Sequence, residues 1–322
     1  MRMPRSGDEL AQALLARWRR AANRARTHRL VTRTVPRIGS TLADYGRLMR
    51  LDRPIGAYLL LWPTLWALWI SADGRPRAGI FAIFVAGVWL MRSAGCVIND
   101  YADRSFDPYV ARTRERPLAA GRVSTAEALV LFAMLSLAAL TLALRLDRLA
   151  LLLALAGAFL AVTYPFIKRF LSVPQLYLGL SFGWGIPMAF AAQRGTVPRI
   201  AWLLFLANLL WVTVYDTLYA MVDRDDDLRI GVRSTAILFG DSDRHIIAAL
   251  QAMTLLALAL VGRRAALGGW YWLGLAAAAA LFLRQLWLIR RRDRDACWRA
   301  FLNNNYVGMA VFIGILLDYQ FR

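Results

Sequence analysis

The 322-residue chain has little of what builds a soft-metal site. It holds two cysteines, Cys96 and Cys297, and two histidines, His28 and His245. The cysteines lie far apart and form no CxxC or zinc pattern, and two histidines cannot complete a cluster. Zinc is therefore excluded, and any metal must be held by oxygen, which points to Mg²⁺. Acidic residues are also scarce, 21 against 40 basic ones, for a formal charge of +19, and Lys168 is the only lysine. No recognised nucleic-acid-binding motif accompanies that charge, which argues against a nucleic-acid partner. Arginines retained on one side of a membrane, in contact with anionic lipid, explain it better.

What is abundant is apolar. Hydrophobic residues make up 59% of the chain and the mean hydropathy is +0.44, more than a soluble core of this size requires. The excess falls in nine blocks: 55–72, 78–98, 126–144, 149–166, 174–192, 200–220, 245–262, 267–289 and 304–321. In lipid every backbone group must pair internally, so each block is predicted to be a helix. Pro63, Pro165 and Pro187 fall within or near the ends of blocks and predict kinks or breaks. The fold class expected is an all-α integral membrane bundle of nine transmembrane helices.

Charge sets the orientation. One set of connections carries twenty Arg and Lys residues and the opposite set nine, so the richer side is cytoplasmic and the N-terminus lies inside. A bacterial inner membrane is the expected location, with the mitochondrial inner membrane as the alternative. Residues 1–50 read as a basic, partly amphipathic arm on anionic lipid, with an Arg-rich transit peptide as the alternative. Residues 51–322 then form the transmembrane domain.

Two acidic clusters break this apolar pattern. Asn99, Asp103 and Asp107 are spaced four apart at the end of the second block, so a continuing helix puts all three on one face. Asp216, Asp223 and Asp227 repeat the arrangement at the end of the sixth block. Like charges at this spacing repel unless a cation compensates. Matching positions suggest two similar halves whose clusters face a shared central cavity on the cytoplasmic side. Several carboxylates sharing Mg²⁺ suit a diphosphate, whose charge the ions offset as it departs. Arg53, Arg112, Arg114, Arg116, Lys168 and Arg224 are the candidates for a basic clamp on it. Arg92, inside an apolar block, is costly unless it faces an internal aqueous cavity.

At these residues the chain resembles the UbiA superfamily of intramembrane prenyltransferases. Asn99, Asp100, Asp103 and Asp107 fit its NDxxDxxxD pattern, and DTLYAMVDRDDD from Asp216 fits DxxYAxxDxxxD. The segments LDRPIGAYLLLWPTLWAL, RTRERPLAAG, YPFIKRF and IGVRSTAILFG are similar to the 4-hydroxybenzoate polyprenyltransferase branch. The resemblance implies a nine-helix bundle with a cavity opening sideways into lipid. It implies Mg²⁺ held by Asn99, Asp103, Asp107, Asp223 and Asp227. The resemblance places Arg53, Arg92, Arg116, Tyr164 and Lys168 at the substrate pocket, and Arg112, Asp216 and Arg224 are further candidates for contact with the substrates. Asp103, Asp107, Asp223, Asp227, Arg116 and Lys168 would carry catalysis. The substrates implied are a polyprenyl diphosphate and 4-hydroxybenzoate, joined in ubiquinone biosynthesis, with no obligate protein partner. Rival readings are another acceptor within the superfamily and a cation-coupled transporter.

Overall fold

The computed structural model describes residues 42–109, 113–168, 170, 171, 173–231 and 233–322. Residues 1–41, which make up most of the predicted basic arm, and Arg112 lie outside the described residues. The unit described runs from Leu42 to Arg322 and is helical throughout, with no strand among the described residues.

In chain order the helices are α1 (Leu42–Leu48), α2 (Ile55–Ser71), α3 (Ala78–Asp103), α4 (Thr125–Ala143), α5 (Arg148–Ile167) and α6 (Pro174–Gly183). There follow α7 (Gly185–Arg194), α8 (Arg199–Ile230), α9 (Thr235–Phe239), α10 (Asp243–Arg264), α11 (Gly269–Leu288) and α12 (Arg294–Gln320). Each of the nine predicted blocks contains helix. Among the described residues, seven helical stretches are long and apolar enough to cross a membrane, and α2, at 17 residues, is a shorter apolar helix.

Local chemistry explains the ends. Ser124 and Glu127 form a reciprocal capping box that starts α4. The Asp147 carboxylate accepts from the Ala150 amide at 2.7 Å and starts α5. Gly231, at φ 74°, closes α8 in the left-handed conformation that favours glycine. The fifth block, 174–192, is broken at Trp184, three residues before Pro187. Pro187 thus sits in the first turn of α7, where its missing N–H costs nothing. Trp184, at the break, donates from Nε1 to Leu153 O of α5 at 2.8 Å. By contrast α2 runs on through Pro63 without interruption.

The core is centred on α2, α8 and α12. Trp66 stacks on Trp211 with ring centroids 5.2 Å apart, and α12 satisfies their indole donors. Trp211 Nε1 donates to Asn304 Oδ1 at 2.9 Å and Trp66 Nε1 to Gly308 O at 3.0 Å. A smaller cluster of Leu48, Val97, Leu118, Val123 and Ala128 fixes α1 against α3 and α4. On α4 and α5 the apolar side chains point largely outward, as Met134, Leu137, Leu152 and Phe159 do. Such faces are unstable in water and ordinary in lipid. The protein is an integral membrane protein.

Candidate active site

Between these helices lies a cavity of about 1620 Å³. Its wall combines charged residues of α3, α8 and the turn after α5 with an apolar stretch from α4, α5 and α7 that includes Leu140, Leu155 and Met188.

The first acidic motif does not lie on one helix. Asn99, Asp100 and Asp103 occupy the last turns of α3, but the α-helix ends at Asp103, and Asp107 opens a separate 3₁₀ turn, Asp107–Tyr109. Pro108 has no N–H to offer the carbonyl four residues back, which disfavours helix through this turn. Asp107 is nonetheless drawn back to the motif. Arg116 Nη1 bridges Asp107 Oδ2 and Asp100 Oδ1, each at 2.9 Å. Burial pushes the Asp107 carboxyl up, Asp100 and Asp103 add to that rise, and Arg116 opposes it.

Lys168, in the turn that ends α5, donates from Nζ to Asn99 Oδ1 at 2.8 Å and to Asp103 Oδ2 at 2.7 Å. Asn99 Nδ2 in turn donates to Asp103 Oδ2 at 3.1 Å, across one helical turn. Asp100 is almost fully buried, and both its oxygens also accept from Arg50 Nη2, at 2.9 and 3.0 Å. Two guanidiniums therefore saturate Asp100 and make it a structural anchor for Arg50 and Arg116.

The second motif stays on one uninterrupted helix, because α8 continues well past the apolar block to Ile230. Asp216, Asp223, Asp226 and Asp227 all line the cavity. Arg294, at the start of α12, pairs with Asp226 at 2.7 Å and reaches Asp223 at 3.8 Å.

Arg92 faces the cavity from mid-helix and donates from Nη1 to Cys96 Sγ at 2.8 Å. Its guanidinium lies 6.0 Å from the Phe182 ring centre and packs against Gly56. Tyr164 is stacked on Tyr177, with Lys168 Nζ 5.9 Å from its ring centre.

The cavity thus brings together Arg53, Arg92, Asn99, Asp103, Asp107 and Arg116 with Tyr164, Lys168, Asp216, Asp223 and Asp227. Arg224 departs from the expected clamp. It is one residue on from Asp223, a turn of about 100° around the helix, and pairs at 3.3 Å with Asp243 at the start of α10. Arg114 pairs on the exposed surface with Glu115, at 3.7 Å.

No three carboxylates, thiols or imidazoles form a ready-made metal cage among the described residues. The donors that line the cavity at the motifs are oxygens, and cationic side chains already sit among them. That set fits Mg²⁺, which takes one or two carboxylates and completes its shell with water and phosphate oxygens.

Residues 60–311 match the model of the UbiA prenyltransferase family. The chain belongs to that family. A protein of Methylococcus capsulatus named 4-hydroxybenzoate octaprenyltransferase is 58% identical over 286 residues, 88% of this chain and 98% of its own length. One of the same name from Alkalilimnicola ehrlichii is 59% identical over 275 residues, 85% of this chain and 94% of its own. Among solved UbiA structures, an apo homologue from Aeropyrum pernix K1 superposes with TM-score 0.73 at 26% identity. It matches over 81% of this chain and 97% of that one. A homologue from Archaeoglobus fulgidus bound to GPP and Mg²⁺ shares the fold, with TM-score 0.64 at 17% identity, over 84% of this chain and 99% of that one.

Some participants were not singled out from sequence. In the sequence Arg50 is only one of the twenty basic residues on the richer side, and Arg294 is one of five in its loop. Asp100 stood inside the motif, yet spacing alone could not tell an anchor from a ligand.

Proposed function

We propose that the protein transfers a polyprenyl group from its diphosphate to the ring carbon of 4-hydroxybenzoate ortho to the hydroxyl, with Mg²⁺ as cofactor. The observation that carries this reading is the shared cavity, lined by both acidic motifs, Lys168 and Arg116 at one part and by apolar side chains at another. The names of its relatives support both the acceptor and an octaprenyl donor, a step that belongs to ubiquinone biosynthesis.

Asn99, Asp103 and Asp107 on one motif and Asp223 and Asp227 on the other would hold Mg²⁺. When bound, the metal supplies charge neutralisation for the departing diphosphate. Lys168, Arg116 and Arg53 donate to the phosphate oxygens, while Arg294 holds Asp226 beside Asp223. The allylic C–O bond breaks and its electron pair leaves with diphosphate. The ortho ring carbon then bonds to the allylic cation, and its proton passes to a site carboxylate or to the released diphosphate. Arg92 receives the acceptor carboxylate. Tyr164 packs its ring beside Lys168, and Asp216 borders the reacting groups. The apolar wall keeps the prenyl chain, and the cation, away from water.

We also infer nine membrane segments in two similar halves, with α6 and α7 serving as one broken span. The arginine-rich side, the cavity mouth and the N-terminus lie in the cytoplasm of a bacterial inner membrane.

Membranes containing the protein, incubated with labelled 4-hydroxybenzoate, octaprenyl diphosphate and Mg²⁺, test the reading. A labelled lipid-soluble product whose ring is substituted ortho to the hydroxyl is expected. No such product, or one equally abundant without Mg²⁺, overturns it.

A further inference from the structure

Tyr215 immediately precedes the second motif and is 2% exposed. Trp211 and Phe301 hold its ring edge-on, with centroids 5.4 and 6.3 Å away. It lines the cavity, and its hydroxyl has no hydrogen-bond partner among the described residues. Three other buried or half-buried tyrosine hydroxyls are paired: Tyr271 donates to Leu258 O at 2.7 Å, Tyr177 pairs with Thr163 at 2.6 Å, and Tyr45 donates to Glu127 at 2.9 Å. Asn208, Gln193 and Gln251 also carry unpaired buried polar atoms, but none of them borders the cavity.

Buried polar groups in native proteins are paired in the large majority of cases, so an orphan on a cavity wall marks a place for a ligand to complete. The chemistry of that ligand follows from the neighbours. Arg92 and Asp216 are charged groups that line the same cavity as Tyr215. A hydroxyl donor and a guanidinium lining one cavity suit an anion, and the two together suit a carboxylate's pair of oxygens.

We propose that Tyr215 donates a hydrogen bond to the carboxylate of the aromatic acceptor, beside Arg92, and so selects acidic acceptors over neutral phenols. This rests on the reading that 4-hydroxybenzoate is the acceptor.

The test is Tyr215→Phe in the full-length protein in membranes. Loss of one hydrogen bond to a charged group should raise KM for 4-hydroxybenzoate roughly tenfold. KM for the prenyl diphosphate should stay unchanged. Competitive inhibition by benzoate should weaken to a similar degree, and inhibition by phenol should not change. Because an orphan hydroxyl is being removed, the melting temperature should hold or rise. An unchanged KM for the acceptor, equal loss for both substrates, or a lowered melting temperature would each overturn the assignment. Wild-type protein that leaves 4-hydroxybenzoate unmodified would overturn the acceptor reading along with it. A wild type that works and a Tyr215→Phe variant that matches it would overturn the role of Tyr215 alone.

Discussion

Lys168 Nζ lies 2.7 Å from Asp103 Oδ2, so the only lysine of the chain joins the end of α5 to the first acidic motif. The ammonium rests where Asp103 and Asn99 both present oxygens. A cation in that place neutralises the motif and is positioned to follow the negative charge of an arriving diphosphate.

Lys168→Met should therefore damage the donor half of the reaction. A single missing electrostatic contact to a leaving group costs about 10²–10³ in kcat. Steady-state kinetics in proteoliposomes should show that loss with KM for 4-hydroxybenzoate little changed. A loss seen only in the acceptor KM would remove Lys168 from the clamp.

Gly56 gives Arg92 its room. A Cβ there would lie 2.8 Å from Arg92 Cζ and nearer still to Nε and Nη2. The obstructing atoms are the far end of a flexible side chain, so Gly56→Ala should move the guanidinium and leave the fold intact. Alanine also favours helix by about 0.5–1 kcal/mol over glycine, so thermal stability should hold or rise. KM for 4-hydroxybenzoate should increase while KM for the prenyl diphosphate does not. Equal effects on both would show that Arg92 is not the acceptor contact.

Asp243 is a matter of stability. It is fully buried at the start of α10 and accepts from Arg224 at 3.3 Å and from Arg292 at 2.9–3.1 Å. Asp243→Ala leaves those guanidiniums uncompensated near the helix that carries the second motif. Arg224 and Arg292 are partly exposed, so the loss is that of charge-assisted hydrogen bonds, about 1.5–3 kcal/mol, which unfolding in detergent would register as a fall in melting temperature. An unchanged melting temperature would refute this role.

The position of Asp107 predicts an acid limit. Its carboxyl is raised, chiefly by burial, so as pH falls it takes up its proton earlier than an ordinary aspartate. Only the carboxylate binds Mg²⁺, so the apparent Mg²⁺ affinity should begin to fall at a pH above the usual carboxylate range. Arg116 opposes the rise, and Arg116→Gln should move the onset to still higher pH. Mg²⁺ titrations of activity across pH would show the onset, and a shift to lower pH in Arg116→Gln would contradict the sign.

Much of this was legible in the sequence because membrane physics leaves few options. Apolar blocks of the right length must be helical, and acids are conspicuous beside them. The two motifs and Lys168 were found on that basis, and the structure brings them to one cavity. What spacing could not show was where a helix stops. The fourfold interval from Asn99 to Asp107 suggests one helical face, yet α3 stops at Asp103, and Asp107 returns through Arg116 instead. Nor could spacing tell Asp100, saturated by Arg50 and Arg116, from its neighbours, or predict that Arg224 would turn to Asp243. Those outcomes depend on partners distant in sequence, as does the orphan hydroxyl of Tyr215.

The most direct test of the central claim, that both acidic motifs serve one Mg²⁺-dependent transfer, is prenyltransferase activity against Mg²⁺ concentration for wild type, Asp103→Ala and Asp223→Ala in the same membranes. Each substitution should on its own abolish product formation at every Mg²⁺ concentration, while Mg²⁺ activates the wild type. Activity that survives in either variant and still responds to Mg²⁺ would contradict the account.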